Sequence, residues 1–161
     1  MPTSSQEMPS WLRSAFALPD RVYALGAGRL LGHRFVRLTH TGRRSGRQFH
    51  VVVEVARYDR RSGEAVVVSG FGRRADWYRN LVAGGPAYVD FGHGPRRADH
   101  RELDTEEALA VFAHYERHNR LLMPLFRPAL SALLGWRYDG SEGARRRLVE
   151  AMPMLALRPA P

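Results

Sequence analysis

The chain has no cysteine, no lysine and no isoleucine among its 161 residues. The first absence excludes disulfides, thiolate metal sites and thiol nucleophiles together. The second makes every one of the 25 basic residues an arginine, against 16 acidic residues, for a formal net charge of +9. No apolar run approaches the roughly 18 residues that a membrane span requires. The N-terminus has no basic stretch leading into a continuous apolar one, the pattern of a secretory leader. A cytoplasmic location is therefore the expectation. No Ser/His/Asp nucleophile arrangement and no supported pair of carboxylates for acid–base work stands out.

What remains is a globular composition, 44% hydrophobic and 25% charged, of a length that suits one domain over residues 1–161 and buries about two thirds of its unfolded surface. A positive field attracts anions. The guanidinium fork matches phosphate and carboxylate bidentately and stays charged when half-buried. Charge alone leaves nucleic acid, anionic lipid and a polyanionic cofactor open as partners.

Residues 1–8 are polar and read as a disordered tail. Residues 9–31 read as a helical segment interrupted near Pro19-Asp20, with Trp11, Phe16, Val22 and Leu25 on an apolar face and Arg13, Arg21 and Arg29 around it. That segment either packs on the body of the protein or rests on a membrane surface. Strands are expected over 35–39, 48–58, 64–69, 87–91, 98–103 and 154–157, from β-branched content and from the turn signals between them. Helices are expected over 75–82, 105–117, 121–134 and 141–150. Asp104 and Glu107 form a capping box for the second, and Pro124 and Pro128 break or kink the third. About six mostly antiparallel strands with inserted helices indicate a small β-barrel, an α+β, mainly β fold.

The segment Thr41-Gly42-Arg43-Arg44-Ser45-Gly46-Arg47 carries the strongest chemical signal. Its glycines free the backbone to approach a ligand, Ser45 adds a hydroxyl, and Arg43, Arg44 and Arg47 add charge. A charge-assisted hydrogen bond contributes about 1.5–3 kcal/mol, so two or three would anchor a phosphate. An ordinary turn with solvated arginines is the alternative. It is not a P-loop, because it lacks GxxxxGK[ST] and leads into a strand. His93, His100, His114 and His118 invite a metal reading, but only the last two have a chelating i, i+4 spacing, and no carboxylate completes the set; a surface pair is the plainer reading.

TGRRSG at 41–46, VVVSGFG at 66–72, ADWYRNL at 75–81 and the nearby Pro86 follow one another in order. In this the chain resembles the deazaflavin-dependent nitroreductase family, split-β-barrel proteins that bind coenzyme F420, over roughly residues 35–91. The resemblance implies that Arg43, Arg44, Ser45 and Gly46 hold the phosphate and acidic tail of the coenzyme. It implies that Ser69, Gly70, Phe71 and Gly72 form a loop against the deazaflavin ring. Trp77 and Tyr78 would wall the groove and Asn80 would fix the loop, with core packing as the alternative for the two aromatics. The chain departs from the family after the glycine turn, where relatives are basic and proline-containing: here stand Phe49, His50 and a valine run. His50 replaces a basic tail contact or simply faces solvent. The family's ANP is here AGGP. Tyr115 and Tyr138 are nominated for the substrate side, with Tyr115 or water protonating product.

The implied activity is hydride transfer from reduced F420 to an electron-poor small molecule: an activated alkene, a quinone or a nitroaromatic. A separate F420-reducing enzyme would supply the cofactor, and a homodimer would cover an open sheet face. Two alternatives stand beside this reading. One keeps the barrel and binds FMN, haem or fatty acid; the other is a nonenzymatic basic binder of nucleic acid or of a membrane surface. Nucleic acid is disfavoured because the aromatics and arginines do not interleave regularly.

Overall fold

The computed structural model describes residues 21, 25 and 28–161. Most of the expected helical segment 9–31, and the expected tail 1–8, lie outside the described residues; Gly28–Leu31 forms a 3-10 turn. Six strands follow: β1 (Phe35–Thr41), β2 (Gln48–Tyr58), β3 (Ala65–Val68), β4 (Ala87–Asp90), β5 (Arg96–Glu102) and β6 (Met154–Pro159). They close a barrel in the order β1-β2-β3-β6-β5-β4, and every pairing is antiparallel. This is the split β-barrel expected from the motifs.

Alternation along the strands explains the interior. Side chains point to opposite faces at a period of two, so one residue in two enters a barrel. Val36 and Leu38 of β1, Val53 and Val55 of β2, Ala65 and Val67 of β3, Val89 of β4, Ala98 of β5 and Leu155 and Leu157 of β6 form a single buried cluster. Leu38 lies opposite Val51 on one side and Val89 on the other, which fixes the register of β1 between its neighbours. Truncating a fully buried leucine of this kind to alanine costs about 2–5 kcal/mol. Helix α1 (Asp76–Val82) closes one end of the barrel with Trp77, Tyr78 and Leu81, all members of the same cluster.

The alternate residues of β3 and β6 face outward but remain buried. Val66, Met154 and Ala156 pack against a helical layer of α2 (Thr105–His118), α3 (Met123–Leu134) and α4 (Glu142–Ala151). Ala108, Val111, Phe112, Tyr115, Leu148 and Val149 supply its inner surface. Both strands therefore carry two cores at once, which is why they read as continuous apolar runs.

Helix α2 begins as its sequence dictates: Asp104 accepts from the Glu107 N–H at 2.8 Å, and the Glu107 carboxylate accepts from the Asp104 N–H at 3.3 Å. Helix α3 is continuous from Met123, two residues later than expected, and is not broken at either proline. Pro124 falls in the first turn, where an N–H has no helical partner. Pro128 stays inside the helix and forgoes the hydrogen bond to the carbonyl of residue 124.

Candidate functional site

The β1–β2 turn is folded by its own backbone. The Gly42 N–H donates to the Arg47 carbonyl at 2.8 Å and the Gly46 N–H to the Gly42 carbonyl at 2.9 Å. Gly46 sits at φ +67°, a left-handed conformation that side chains resist. Ser45 Oγ accepts from the Arg47 N–H at 3.3 Å.

Asn80, in α1 and only 2% exposed, ties this turn to the barrel. Its Oδ1 accepts from the Arg43 backbone N–H at 3.0 Å and from Arg43 Nη1 at 2.9 Å. Both partners are donors, so the amide orientation is determined, and Nδ2 is the group that meets His40 Nδ1 at 2.9 Å. His40 Nδ1 must then accept. The ring is neutral with its proton on Nε2, and only Nε2 is left for another partner. Burial lowers the His40 pKa, His50 lowers it further, and Asp76 opposes them.

These residues border a cavity of about 700 Å³ between the β1–β2 turn and the segment joining β3 to α1. His40, Phe49, Val51, Phe71 and Trp77 give it apolar and aromatic walls, and Arg43, Arg44, Ser45, Arg74 and Asp76 give it a polar rim. Arg43 Nη1 also reaches Asp76 Oδ1 at 3.3 Å. Among the described residues Arg44 and Arg74 have neither a hydrogen bond nor an ion pair within the chain. Three guanidinium groups thus face one carboxylate, and two of the three are free to meet an anion.

The loop after β3 is held rigidly. Ser69 is fully buried; its N–H donates to the Pro153 carbonyl at 2.9 Å and its hydroxyl to the Gly72 carbonyl at 2.6 Å. Gly72 lies at φ +69°, and a Cβ there would stand 2.8 Å from the Ala151 carbonyl oxygen of α4. A Cβ on Gly70 would meet Leu133 of α3 at 3.5 Å. The effect is to present Phe71, 56% exposed, at the cavity.

Of the residues nominated from sequence, the structure brings Arg43, Arg44, Ser45, Phe71, Trp77 and Asn80 to the cavity wall. Gly46, Ser69, Gly70 and Gly72 shape the two loops behind it. Tyr78 is buried beside Trp77, with its hydroxyl accepting from Arg73, which also pairs with Glu102 at 2.8 Å; burial raises the Tyr78 pKa, with Glu102 adding to the rise. His50 is exposed on the other face of β2, its Nδ1 2.8 Å from Thr39 Oγ1. Tyr115 and Tyr138 stand apart from the cavity, in the helical layer. The Tyr115 hydroxyl donates to Glu54 at 2.8 Å and the Tyr138 hydroxyl to Glu116, which Arg145 also holds. Burial, then the neighbouring carboxylate, raises both phenol pKa values. Neither tyrosine lines the cavity. His114 and His118 stack on one another along exposed α2, ring centroids 6.0 Å apart.

His40, Phe49, Arg74 and Asp76 were missed by sequence reasoning. The signal for His40 was available: it continues the inward row Val36, Leu38 at a period of two. Arg74 had none, because its place follows from the 3-10 turn over Gly72–Arg74.

The sequence model of the F420H(2)-dependent quinone reductase family matches residues 11–120. No match was found among the curated proteins. Among solved structures, the fold is similar to a chain described as a domain-swapped dimer (TM-score 0.53, 19% identity, covering 92% of this chain and 97% of that one). It is also similar to an F420-H2 dependent reductase, FDR-A (TM-score 0.50, 18% identity, 78% and 94%). A third neighbour is a Listeria innocua protein described as a pyridoxamine 5'-phosphate oxidase (TM-score 0.50, 11% identity, 89% and 94%). At these identities the neighbours show the fold, and the family match shows the chemistry: this chain belongs to the F420H(2)-dependent quinone reductase family and is a split-barrel, F420-dependent reductase.

Proposed function

We propose that this reductase delivers hydride to a quinone or another electron-poor acceptor, such as an activated alkene or a nitroaromatic, held against the aromatic wall of the cavity beside Phe71 and Trp77. The observation that carries the proposal is the division of one cavity into an arginine rim and an aromatic wall. An anionic tail suits the rim, where Arg44 and Arg74 lack partners among the described residues. A flat conjugated ring suits the wall. Bound reduced F420 supplies the hydride, from its ring carbon C5.

The chain's own residues then bind, orient and exclude water. Arg43, Arg44 and Arg74 grip phosphate and carboxylate, and Ser45 adds a donor. Asn80 keeps the turn in register with α1. Phe71 and Trp77 limit the freedom of any ring placed between them, which is how positioning lowers a barrier. His40 Nε2–H is the neutral donor available to a carbonyl or ring oxygen, while Tyr115 and Tyr138 are committed elsewhere. A second enzyme that reduces F420 is the implied partner. Homodimerisation is part of the same proposal, consistent with the domain-swapped dimer of similar fold.

Titration with oxidised F420 and with FMN, followed by fluorescence, tests the binding half. Wild type should quench F420 fluorescence at micromolar protein, and Arg43→Ala/Arg44→Ala should abolish the quench; tight binding of FMN alone would remove the cofactor assignment. Single-turnover mixing of the reduced complex with a soluble naphthoquinone, a nitroaromatic and an activated alkene tests the acceptor half. If none of the three oxidises bound F420H2 faster than free F420H2, the acceptor class is wrong.

A further inference from the structure

Helix α3 is apolar on the side where a surface helix is normally polar. Its inner face is anchored in the helical layer by Met123, Phe126, Leu130 and Leu133. Its outer row, at helical spacing, is Leu125, Pro128 and Ala132, all exposed, and Leu121 in the turn just before the helix is exposed as well. Leu121 is 86% exposed and Leu125 66%. A helix that is hydrophobic all round is ordinarily buried in protein or lipid.

Arginine predominates around it, with Asp139 the exposed acidic residue at its far end. From residue 117 to residue 138 the chain holds four arginines, Arg117, Arg120, Arg127 and Arg137, and no aspartate or glutamate. All four are exposed, and none forms a salt bridge among the described residues. Leucines that penetrate a headgroup layer, ringed by arginines that meet lipid phosphates, are the components of interfacial binding. A second copy of the chain fits less well, since a two-fold interface would set the same arginines against each other.

We propose that the outer face of α3 docks on an anionic membrane surface, with Leu121 and Leu125 inserted and Arg120 and Arg127 on lipid phosphates. The opposite end of α3, at Leu133, lies against Gly70, beside Phe71. This surface is distinct from residues 9–31, and vesicle binding through it requires neither F420 nor an acceptor.

Co-sedimentation of the full-length protein with vesicles of equal phosphatidylglycerol and phosphatidylcholine, and with phosphatidylcholine alone, tests the proposal. Wild type should partition onto the anionic vesicles and be released by salt. Arg120→Gln/Arg127→Gln should weaken partitioning roughly 25-fold, about fivefold for each arginine near the surface. Leu121→Ser/Leu125→Ser should weaken it at least tenfold, with an unchanged circular dichroism spectrum, because both residues are exposed. Absence of binding to the anionic vesicles overturns the proposal. So does binding that the leucine variant leaves intact, which would place the contact elsewhere. A dimer in sedimentation velocity that the leucine variant dissociates, without vesicle binding, assigns the face to a second copy instead.

Discussion

Replacing Asn80 separates what holds the site from what fills it. Asn80→Ala removes two neutral hydrogen bonds, from the Arg43 N–H and to His40 Nδ1, each contributing about 1 kcal/mol. It also removes the bond from Arg43 Nη1, which retains Asp76 and is partly solvated, so about 1 kcal/mol remains after screening. The total is about 3 kcal/mol, a factor of roughly 150 in the folding equilibrium and a drop of about 6–12 °C in Tm for a chain of this size. Urea unfolding should show a lower midpoint with an unchanged slope, and F420 binding should weaken because the turn loses its attachment. Asn80→Asp keeps both acceptor bonds to Arg43 but faces His40 Nδ1 with a carboxylate. His40 can then donate as the Nδ1–H tautomer or as the cation, and the adjacent negative charge favours the cation. The His40 pKa, now below the ordinary 6.5 because of burial, should rise above it. The sign of its pH linkage reverses with it. In wild type the neutral ring favours the fold above pH 6.5, and that contribution is lost as pH falls through the depressed folded value. In the aspartate variant the His40 contribution is complete below pH 6.5 and is lost as pH rises through the raised value. His33 is also depressed, by burial first, so a stability curve mixes two rings; NMR titration of the His40 resonances reads the one in question. A loss below about 1 kcal/mol in Asn80→Ala with unchanged F420 affinity, or a His40 pKa in Asn80→Asp that stays below 6.5, would refute the reasoning.

Arg44→Ala and Arg74→Ala should each weaken F420 binding about tenfold, more at low salt than at high, with Tm unchanged because neither side chain has a partner to lose; fluorescence titration at two ionic strengths checks both. Gly72→Ala should destabilise by about 2 kcal/mol or more, since it combines a positive φ with a Cβ 2.8 Å from a backbone oxygen. Gly46→Ala, also at positive φ but with nothing within 4 Å, should cost only about 1 kcal/mol, and denaturant melts compare the two. Tyr115→Phe should cost about 1–3 kcal/mol by leaving the half-buried Glu54 carboxylate without its hydroxyl donor, yet leave single-turnover reoxidation unchanged; a slowed reaction would restore Tyr115 as a proton donor.

The fold was legible where local chemistry and long-range packing agree. Val51 to Val55 alternate inward and outward as a strand should, and Asp104 with Glu107 start a helix irrespective of what surrounds it. Proline's cost in α3 depends on position: Pro124 leaves the helix unbroken because it sits in the first turn, where no hydrogen bond is lost. The site was legible as a motif and not as a shape. Gly42 to Ser45 and Trp77 to Asn80 stood out by residue type, but nothing in the periodicity says that Asn80 meets Arg43, 37 residues away. His50 stands where relatives carry basic residues, with a solvent-facing position as the alternative. The pleat puts His50 opposite Thr39 on the outer face, while His40 shares the inward row with Leu38. The nomination of Tyr115 and Tyr138 follows the tyrosines that line the substrate side in relatives; here their phenols bond to Glu54 and Glu116 in the helical layer.

The loop Ser69–Gly72 touches everything at once: the strand β3 that it leaves, the carbonyl of Ala151 at the end of α4, Leu133 of α3, and the cavity through Phe71. The barrel wall otherwise insulates the cavity from the helical layer, because β3 and β6 fill both of their faces. These four residues therefore join the cavity wall directly to the ends of α3 and α4. The outer surfaces of α2, α3 and α4 can drift in sequence, or take on a new neighbour, without altering the arginine rim. The ends of α3 and α4 thus pack within one residue of the Phe71 ring.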